Sequence, residues 1–331
     1  MRPKRHIRGA VLLAASPFLA LGLWMSAKGI GNIRRSAQSV HFPKADATVT
    51  VSNVSSASSR AADGTRSATS YSANIEFQYQ VNGAAYSTST RHFGQTTGST
   101  DSSEAELLRL RYPIGANTWV YYDPANPASA VAEPGFHANL IWLPGGGLFF
   151  IAAAAFALLF AGRDSTRAFR AGIAMFGSVF ASLGLIGLAH GAVEIQRGRA
   201  SVGWPRTQGQ IVYQKIDSNQ SRGTAGAGEG GTTQTSHGSH LIYQYQIAGR
   251  TYYSNQRRFG QLSAAGADWA EEIAAAYPPG SPIAVSYSPE NPQLAVLEPG
   301  AGWEACWLPG AAGVSLLFGL GVLWLARRGS F

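Results

Sequence analysis

The chain has 331 residues, of which 39 are glycine and only 13% are charged. Because soluble domains average about a quarter charged residues, part of this chain is expected to lie outside water. The single cysteine, Cys306, excludes an internal disulfide framework and a metal site built from several cysteines.

The net charge of +8 would suit a nucleic-acid binder, but its distribution argues against this. The segments 29–139 and 192–303 each contain eight basic and eight acidic residues and are therefore neutral. The basic excess instead flanks apolar segments. It lies at Arg2, Lys4, Arg5 and Arg8, at Arg163, Arg167 and Arg170, and at Arg327 and Arg328. We expect the lipid bilayer as a partner and no nucleic acid.

Four apolar segments contain no Asp, Glu, Lys or Arg and are long enough to cross a bilayer, which takes about 20 helical residues. They cover residues 9–27, 138–161, 171–189 and 305–326. We expect four transmembrane helices; the alternative is a set of buried helices in a soluble protein. The first segment also has the basic start of a secretory signal. Met25 makes a poor cleavage site, however, and residues 21–29 match 183–191, which favours a retained helix.

The orientation follows from the basic residues, because short cytoplasmic loops are rich in Lys and Arg. The N-terminus, the loop 162–170 and the C-terminus are positive, and four spans would place them on one side. We expect a multi-pass protein of the bacterial plasma (inner) membrane, with both termini cytoplasmic and both neutral segments extracytoplasmic. Trp142 and Trp307 begin matching WLPG sequences and are expected to be anchors at the outer membrane interface.

The chain is a tandem duplication, in which each unit consists of a span, an outer domain and a span. Many transporters instead contain inverted repeats. The best matching pairs are FQYQVNGAAYSTSTRHFGQ with YQYQIAGRTYYSNQRRFGQ and YYDPANPASAVAEPG with SYSPENPQLAVLEPG. The expected order is N-terminus 1–8, helix 9–28, outer domain 29–137, helix 138–161, loop 162–170, helix 171–191, outer domain 192–302, helix 303–326 and tail 327–331.

Each outer domain is expected to be a β-rich α+β domain of five strands and one helix. Residues 74–81 alternate, with Ile75, Phe77, Tyr79 and Val81 on one face. Asn82-Gly83 predicts a tight hairpin turn. In the first copy we predict strands 47–54, 74–81 and 86–93, a helix 102–112, and strands 119–122 and 128–132. This order is that of a small OB-like barrel; an open sheet or a small sandwich is the alternative.

The first hairpin of each domain contains a long Ser-, Thr- and Gly-rich stretch, at 52–70 and at 217–240. Such composition buries little apolar surface. We expect a mobile loop of low specificity at each position, with a flexible lid over a ligand as the alternative.

The duplication provides a test for candidate sites, because a residue that does the same chemistry in both copies should occur in both. No histidine occurs at the same position in both copies. His237 and His240 lie three residues apart and could contact a metal, but two ligands are too few for a structural zinc site. Asp123 becomes Ser288, which rules out an acid/base role but keeps an oxygen that can open a turn. Two pairs survive, Arg91 with Arg257 and Glu133 with Glu298. We expect these to be structural or interaction residues, with an Arg–Glu contact between strands.

No catalytic, cofactor-binding or metal-ligating constellation is found in the sequence, which lacks the GxSxG, HExxH and phosphate-loop motifs. We therefore expect no enzyme activity and no cofactor. Small residues in the apolar segments favour close helix packing. They include Ala153, Ala157 and Ala161 and the pair Gly177 and Ala181.

The motifs YQYQVNGAAY, RHFG, YPIG and YYDPANPASAVAEPG, with their second copies, resemble a bacterial membrane-associated domain-of-unknown-function family, number 3592. The resemblance covers both outer domains and the spans after them, as two tandem copies. It implies a membrane location and no established activity, and it assigns no catalytic residues.

The function expected from the sequence is a non-catalytic binding or assembly module of the cell envelope, with an envelope protein or a second copy as partner. One alternative is an accessory subunit of a transporter or channel, with the outer domains as gates. Another is a surface enzyme whose site occurs in one copy only, such as His92 with Asp101 or Glu104.

Overall fold

The computed structural model describes residues 4–60, 66–95, 98–99, 101–160, 165–222, 233–261 and 266–328. Within them, each unit begins with a long helix, continues through a five-stranded domain and ends with a second apolar helix. The elements of the first unit are α1 Lys4–Ser39, β1 Lys44–Arg60, β2 Arg66–Val81, β3 Ala84–Thr88, α2 Ser102–Arg111, β4 Asn117–Asp123, β5 Asn126–Val131 and α3 Trp142–Phe160. Those of the second are α4 Ser165–Ser201, β6 Arg206–Arg222, β7 Thr233–Ile247, β8 Arg250–Ser254, α5 Ala267–Ala276, β9 Pro282–Tyr287, β10 Ala295–Val296 and α6 Trp307–Arg328.

The two β domains have the same topology, so the expectation of five strands and one helix in each is confirmed. The strand order is β3-β2-β1-β4-β5 in domain 1 and β8-β7-β6-β9-β10 in domain 2, with antiparallel pairing throughout. The two sheet edges meet beyond the ends of β3 and β5, where the Glu133 N–H donates to the Arg91 carbonyl at 2.7 Å. The Glu298 N–H donates to the Arg257 carbonyl at 2.9 Å in the same way. Each sheet is therefore curled into a partly open barrel.

The core of each domain lies inside this curl. Phe77 and Tyr79 are buried on the predicted face of β2, and Tyr243 and Tyr245 take the same positions on β7. The tight turn after β2 is also confirmed, since Asn82 and Gly83 have φ angles of 50° and 81°.

The turn between β4 and β5 uses the predicted side-chain oxygens. Asp123 Oδ1 accepts from the Ala125 N–H at 2.9 Å, and Ser288 Oγ accepts from the Asn291 N–H at 3.4 Å in the second copy. The exchange of Asp for Ser therefore keeps a side-chain acceptor in the turn, although it bonds the N–H two residues on in the first copy and three residues on in the second.

The prediction of mobile loops at 52–70 and 217–240 is wrong for the residues that the structure describes. Strand β1 continues to Arg60 and pairs with β2 from Arg66 onward, and β6 and β7 continue in the same way to Arg222 and from Thr233. Backbone pairing needs no apolar side chain, and Ser and Thr can form cross-strand hydrogen bonds. Ser58 and Thr69 do so at 3.3 Å. The tips, 61–65 and 223–232, lie outside the described residues.

Two described helices are long and apolar enough to cross a membrane, Gly172–Ser201 in α4 and Trp303–Arg328 around α6. A shorter apolar stretch, Asn139–Ala155, lies in and before α3. Helix α1 has 36 residues and contains the predicted first span, 9–28, of which residues 9–14 have side chains that are not described. Only two of the four expected spans meet, among the described residues, the length and composition that a span requires, so the expectation of four spans is not supported.

The helices of each unit pack as a pair through small residues. Gly22 lies against Gly147 in the α1–α3 pair, and a Cβ on Gly22 would come within 2.7 Å of the Gly147 carbonyl oxygen. In the α4–α6 pair, a Cβ on Gly319 would lie 2.4 Å from the Ala181 nitrogen and 2.5 Å from the Gly177 oxygen. Gly177 and Ala181 thus form a close helix contact, as the sequence indicated.

This packing makes Gly319 sensitive to substitution. Because a side chain there must push α6 away from α4, Gly319→Leu is expected to lower the free energy of unfolding by about 2–3 kcal/mol, the upper part of the usual range for overpacking. The control is Gly321→Leu on the same helix, where a Cβ meets no atom within 4 Å. Thermal unfolding of the full chain in detergent measures both variants. Equal melting temperatures for the two would contradict this packing.

Candidate functional site

The shared Arg and Glu residues meet in both domains. In domain 1, Arg91 Nε lies 3.3 Å from Glu133 Oε2, although the N–H is not oriented for a hydrogen bond. The Tyr112 hydroxyl, just after α2, donates to Glu133 Oε1 at 3.0 Å. Arg111 Nη1 adds a cation at 3.8 Å from the same oxygen. The carboxylate thus connects the segment after β3, the end of α2 and the segment after β5.

Domain 2 repeats this cluster with tighter geometry. Arg257 Nη1 donates to both carboxylate oxygens of Glu298, at 2.8 and 2.9 Å. The Tyr277 hydroxyl donates to Oε1 at 2.9 Å, and Arg258 also pairs with Glu298. The two groups of three side chains, Arg91–Tyr112–Glu133 and Arg257–Tyr277–Glu298, are called the Arg–Tyr–Glu clusters below. The tyrosines belong to them although only the Arg and Glu residues were singled out in the sequence.

The domain 2 cluster favours the ionised form of Glu298. Burial by itself would raise the pKa of Glu298, but the hydrogen bonds from Arg257 and Tyr277 outweigh it and leave this pKa below its usual value of 4.5. Burial and the bond to Glu298 raise the pKa of Tyr277 to about 12. The tyrosine therefore stays a hydrogen-bond donor and the glutamate an acceptor at neutral pH.

The two domains differ beside the cluster. In domain 1, the buried His92 stacks on His137, with ring centroids 4.0 Å apart, and its Nε2 lies 3.0 Å from Arg91 Nη2. Because the guanidinium can only donate, Nε2 must be the acceptor and the ring is neutral, with its proton on Nδ1 facing the Phe93 carbonyl at 3.2 Å. Burial lowers the pKa of His92. In domain 2, Arg258 takes the place of His92 and contacts Glu304 as well as Glu298.

Each domain has a cleft between its helix and the β2–β3 or β7–β8 hairpin, and the cluster arginine lines it. The domain 1 cleft has a cavity volume of about 550 Å³, and the domain 2 cleft one of about 250 Å³. The linings are equivalent in the repeat. They share the pairs Ile75 and Leu241, Arg91 and Arg257, Gln95 and Gln261, and Leu108 and Ile273. The duplication therefore preserved a cleft as well as a fold.

The domain 2 cleft is partly filled by the start of helix α2 from domain 1. Asp101, the N-cap of α2, and Ser103 both line it. Asp101 Oδ1 lies 2.7 Å from His240 Nδ1, and Asn255 Nδ2 donates to Ser103 Oγ at 3.1 Å. The segment Asp101–Ser103 is called the plug below.

A second group of contacts between the domains lies beside the plug, where β2 meets β6. The Tyr71 hydroxyl donates to Asp217 Oδ1 at 3.0 Å and accepts from Lys215 Nζ at 2.7 Å. Lys215 Nζ also lies 2.8 Å from Asp217 Oδ1. Burial by itself would raise the pKa of Asp217, but the bonds from Lys215 and its neighbours outweigh it and lower this pKa. The domains are thus joined by charged and polar groups from both copies.

The remaining sequence-based candidates lie elsewhere. Trp142 and Trp307 are 73% and 67% exposed at the starts of α3 and α6, and their role as anchors stays a prediction. His92 contacts Arg91 and His137, and Asp101 pairs with His240; the one-copy enzyme site stays a prediction. His237 and His240 lie on β7, and the described residues contain no group of three or more His, Cys, Asp or Glu placed to hold a metal.

The plug contacts were missed because the duplication test selects residues that occur in both copies. Asp101 corresponds to Gly266, and His240 corresponds to Asn74. The sequence did contain one indication of these contacts. An Asp before a helix predicts an N-cap, and the carboxylate of an N-cap can also accept a hydrogen bond from a second residue.

Two five-stranded domains of one topology, each followed by an apolar helix, define a duplicated β-domain protein. The family model for a domain of unknown function (DUF3592) matches the chain at residues 45–137 and 207–302, which is more than half of its length. The chain therefore belongs to this family and contains its domain twice. No curated protein matches the chain.

Acid sensitivity tests the Arg–Tyr–Glu cluster. The depressed pKa of Glu298 contributes stability above pH 4.5, and this contribution is lost as the pH falls through its lower folded value. Glu298→Gln should lower the free energy of unfolding by about 2 kcal/mol at pH 7, the scale of a hydrogen bond to a charged group. It should also reduce the loss of stability below pH 4.5. Denaturant unfolding from pH 3 to pH 7 measures both effects.

The matched control is Glu290→Gln, which removes an exposed acid from the same domain. It should leave stability and its pH profile close to those of the parent. If Glu298→Gln gives the same acid profile as Glu290→Gln, the cluster is not a source of stability.

Proposed function

We propose that this protein is a non-catalytic binding or assembly module of the cell envelope. The observation that carries the proposal is the plug, because a cleft that the duplication preserved is partly filled in domain 2 by a protein segment. The segment is a capped helix N-terminus, and it is held by side-chain hydrogen bonds to Asp101 and Ser103. A cleft of this kind is suited to recognising a protein partner.

The equivalent cleft of domain 1 is then the binding site that this chain presents. Its cavity volume is about twice that of the filled cleft. Its lining is polar, with Arg91 at one end and Asn74 and Ser89 along the hairpin. Asn74 and Ser89 are exposed, whereas their counterparts His240 and Asn255 hold the plug. The proposed ligand is therefore a helix start that offers hydrogen-bonding side chains.

We further propose that the chain is anchored by four helices in a bacterial plasma membrane, with both termini cytoplasmic and both β domains outside. The apolar faces of α4 and α6 support this, since only 22% and 11% of their most apolar windows are buried within the chain. Leu317, Val314 and Phe318 are each at least half exposed on α6. Such a surface needs lipid or a partner to cover it. The basic segments give the orientation.

Labelling of single cysteines tests this orientation. In a Cys306→Ser chain, Asn117→Cys and Glu290→Cys place thiols on exposed positions of domains 1 and 2. A membrane-impermeant maleimide added to intact cells should label both, while Arg327→Cys at the end of α6 should react only after permeabilisation. The reverse pattern, or equal labelling of all three, would contradict the orientation.

Site-specific photo-crosslinking tests the cleft. A benzoylphenylalanine at Ser89, in the domain 1 cleft, should form a discrete adduct with a protein in native membranes, because the occupant lies against this residue. The same probe at Asn117, on the exposed strand β4, is the matched control and should form none.

A variant with a blocked cleft tests whether the Ser89 adduct depends on the cleft. Asn74→Trp fills the cleft from the hairpin side and should reduce the Ser89 adduct at least fivefold without changing the amount of protein in the membrane. The absence of a Ser89 adduct, or an adduct that Asn74→Trp leaves unchanged, would contradict the proposed function.

A further inference from the structure

We propose that the domain 1 cleft receives the start of helix α5 from a second copy of this chain, so that copies assemble head to tail. This inference rests on the proposed function and names its partner. In one chain, the start of α2 enters the cleft of the following domain. The assembly repeats this contact between chains, with the start of α5 entering the cleft of domain 1 in the next copy.

The asymmetry of the contact between the domains is the first argument. Helix α2 packs on β6, β7 and β8 of domain 2, while α5 has its principal contacts with β6 and β7 of its own domain. The interface therefore joins different surfaces of the two repeats. A heterologous interface of this kind leaves one unused copy of each surface, and identical units then form a closed ring or an open chain.

The unused surfaces are accessible in the structure. Gly266, the N-cap of α5, and Asp268 in its first turn are exposed. On the other side, Asn74 and Ser89 of the domain 1 cleft are exposed as well. The helix start and the cleft that would meet between copies are thus both present at the surface of one chain.

The residues of the helix start and of the cleft differ between the repeats, and the differences on one surface fit those on the other. Where the plug has Asp101 facing His240, the equivalent positions have Gly266 and Asn74, so a carboxylate–imidazole contact is replaced by two neutral residues. Where Ser103 accepts from Asn255, the equivalents are Asp268 and Ser89. The Ser89 hydroxyl can donate to the Asp268 carboxylate, which keeps one donor and one acceptor at this contact.

The neighbouring contact is also replaced by compatible groups. Tyr71 of the interface corresponds to His237, and its partner Lys215 corresponds to Asn53. Asn53 is exposed, and its Oδ1 already accepts from Asn74 Nδ2 at 3.0 Å, on the rim of the cleft. A histidine and an asparagine can form a hydrogen bond, so this contact also keeps a donor and an acceptor between copies.

Disulfide trapping of the full chain in native membranes tests the assembly. In a Cys306→Ser chain, Ser89→Cys with Asp268→Cys should give dimers and longer chains on a non-reducing gel after mild oxidation, with most of the protein shifted. The matched control is Ser103→Cys with Asn255→Cys, which joins the equivalent contact inside one chain and should give monomers only. Reduction should return both to monomer.

A mixing experiment gives the direction of assembly. Two differently tagged chains, one with Ser89→Cys and the other with Asp268→Cys, should form a mixed dimer at least tenfold above the level of either chain alone. If Ser103→Cys with Asn255→Cys crosslinks but Ser89→Cys with Asp268→Cys stays monomeric, self-assembly through this cleft is wrong. A Ser89 photo-adduct with another protein in that case would leave the proposed function standing and exclude only the second copy as its partner.

Discussion

The carboxylate of Glu133, with its counterpart Glu298, is the contact on which each domain depends. It binds an arginine after the third strand and a tyrosine after the helix, while its own backbone N–H joins the two edges of the sheet. The same glutamate therefore contributes both to the closure of the curled sheet and to the position of the helix. Since the cleft lies between that helix and the β2–β3 hairpin, its shape follows from the same contact.

The periodic parts of the fold could be predicted from the sequence, because alternation and turn chemistry act locally. Phe77 and Tyr79 lie in the core as their spacing indicated, and Asn82-Gly83 forms the expected turn. The long hairpin arms could not be predicted in this way. Composition reports how much apolar surface a segment can bury, whereas β1 and β2 are extended by backbone pairing along serines and threonines that bury little.

The contacts of the candidate site also differ in whether they could be predicted from the sequence. The Arg91–Glu133 pair could be expected because it occurs in both copies, and repetition marks what every domain needs. The contact of Asp101 with His240 could not, since it joins one copy to the other and each copy supplies a different half. The two domains of this chain differ where they meet, so a search for residues that both repeats share did not find their interface.

The exit of the chain from each domain has a mechanical consequence. Gly135, two residues after Glu133, donates its N–H to Ser39 Oγ at the end of α1, and Gly300 donates to Ser201 Oγ at the end of α4 in the same way. The strand that leaves the domain is thus fastened to the helix that enters it. A lateral force on a β domain is therefore transmitted to both of its helices, and we expect each domain to move together with its helix pair.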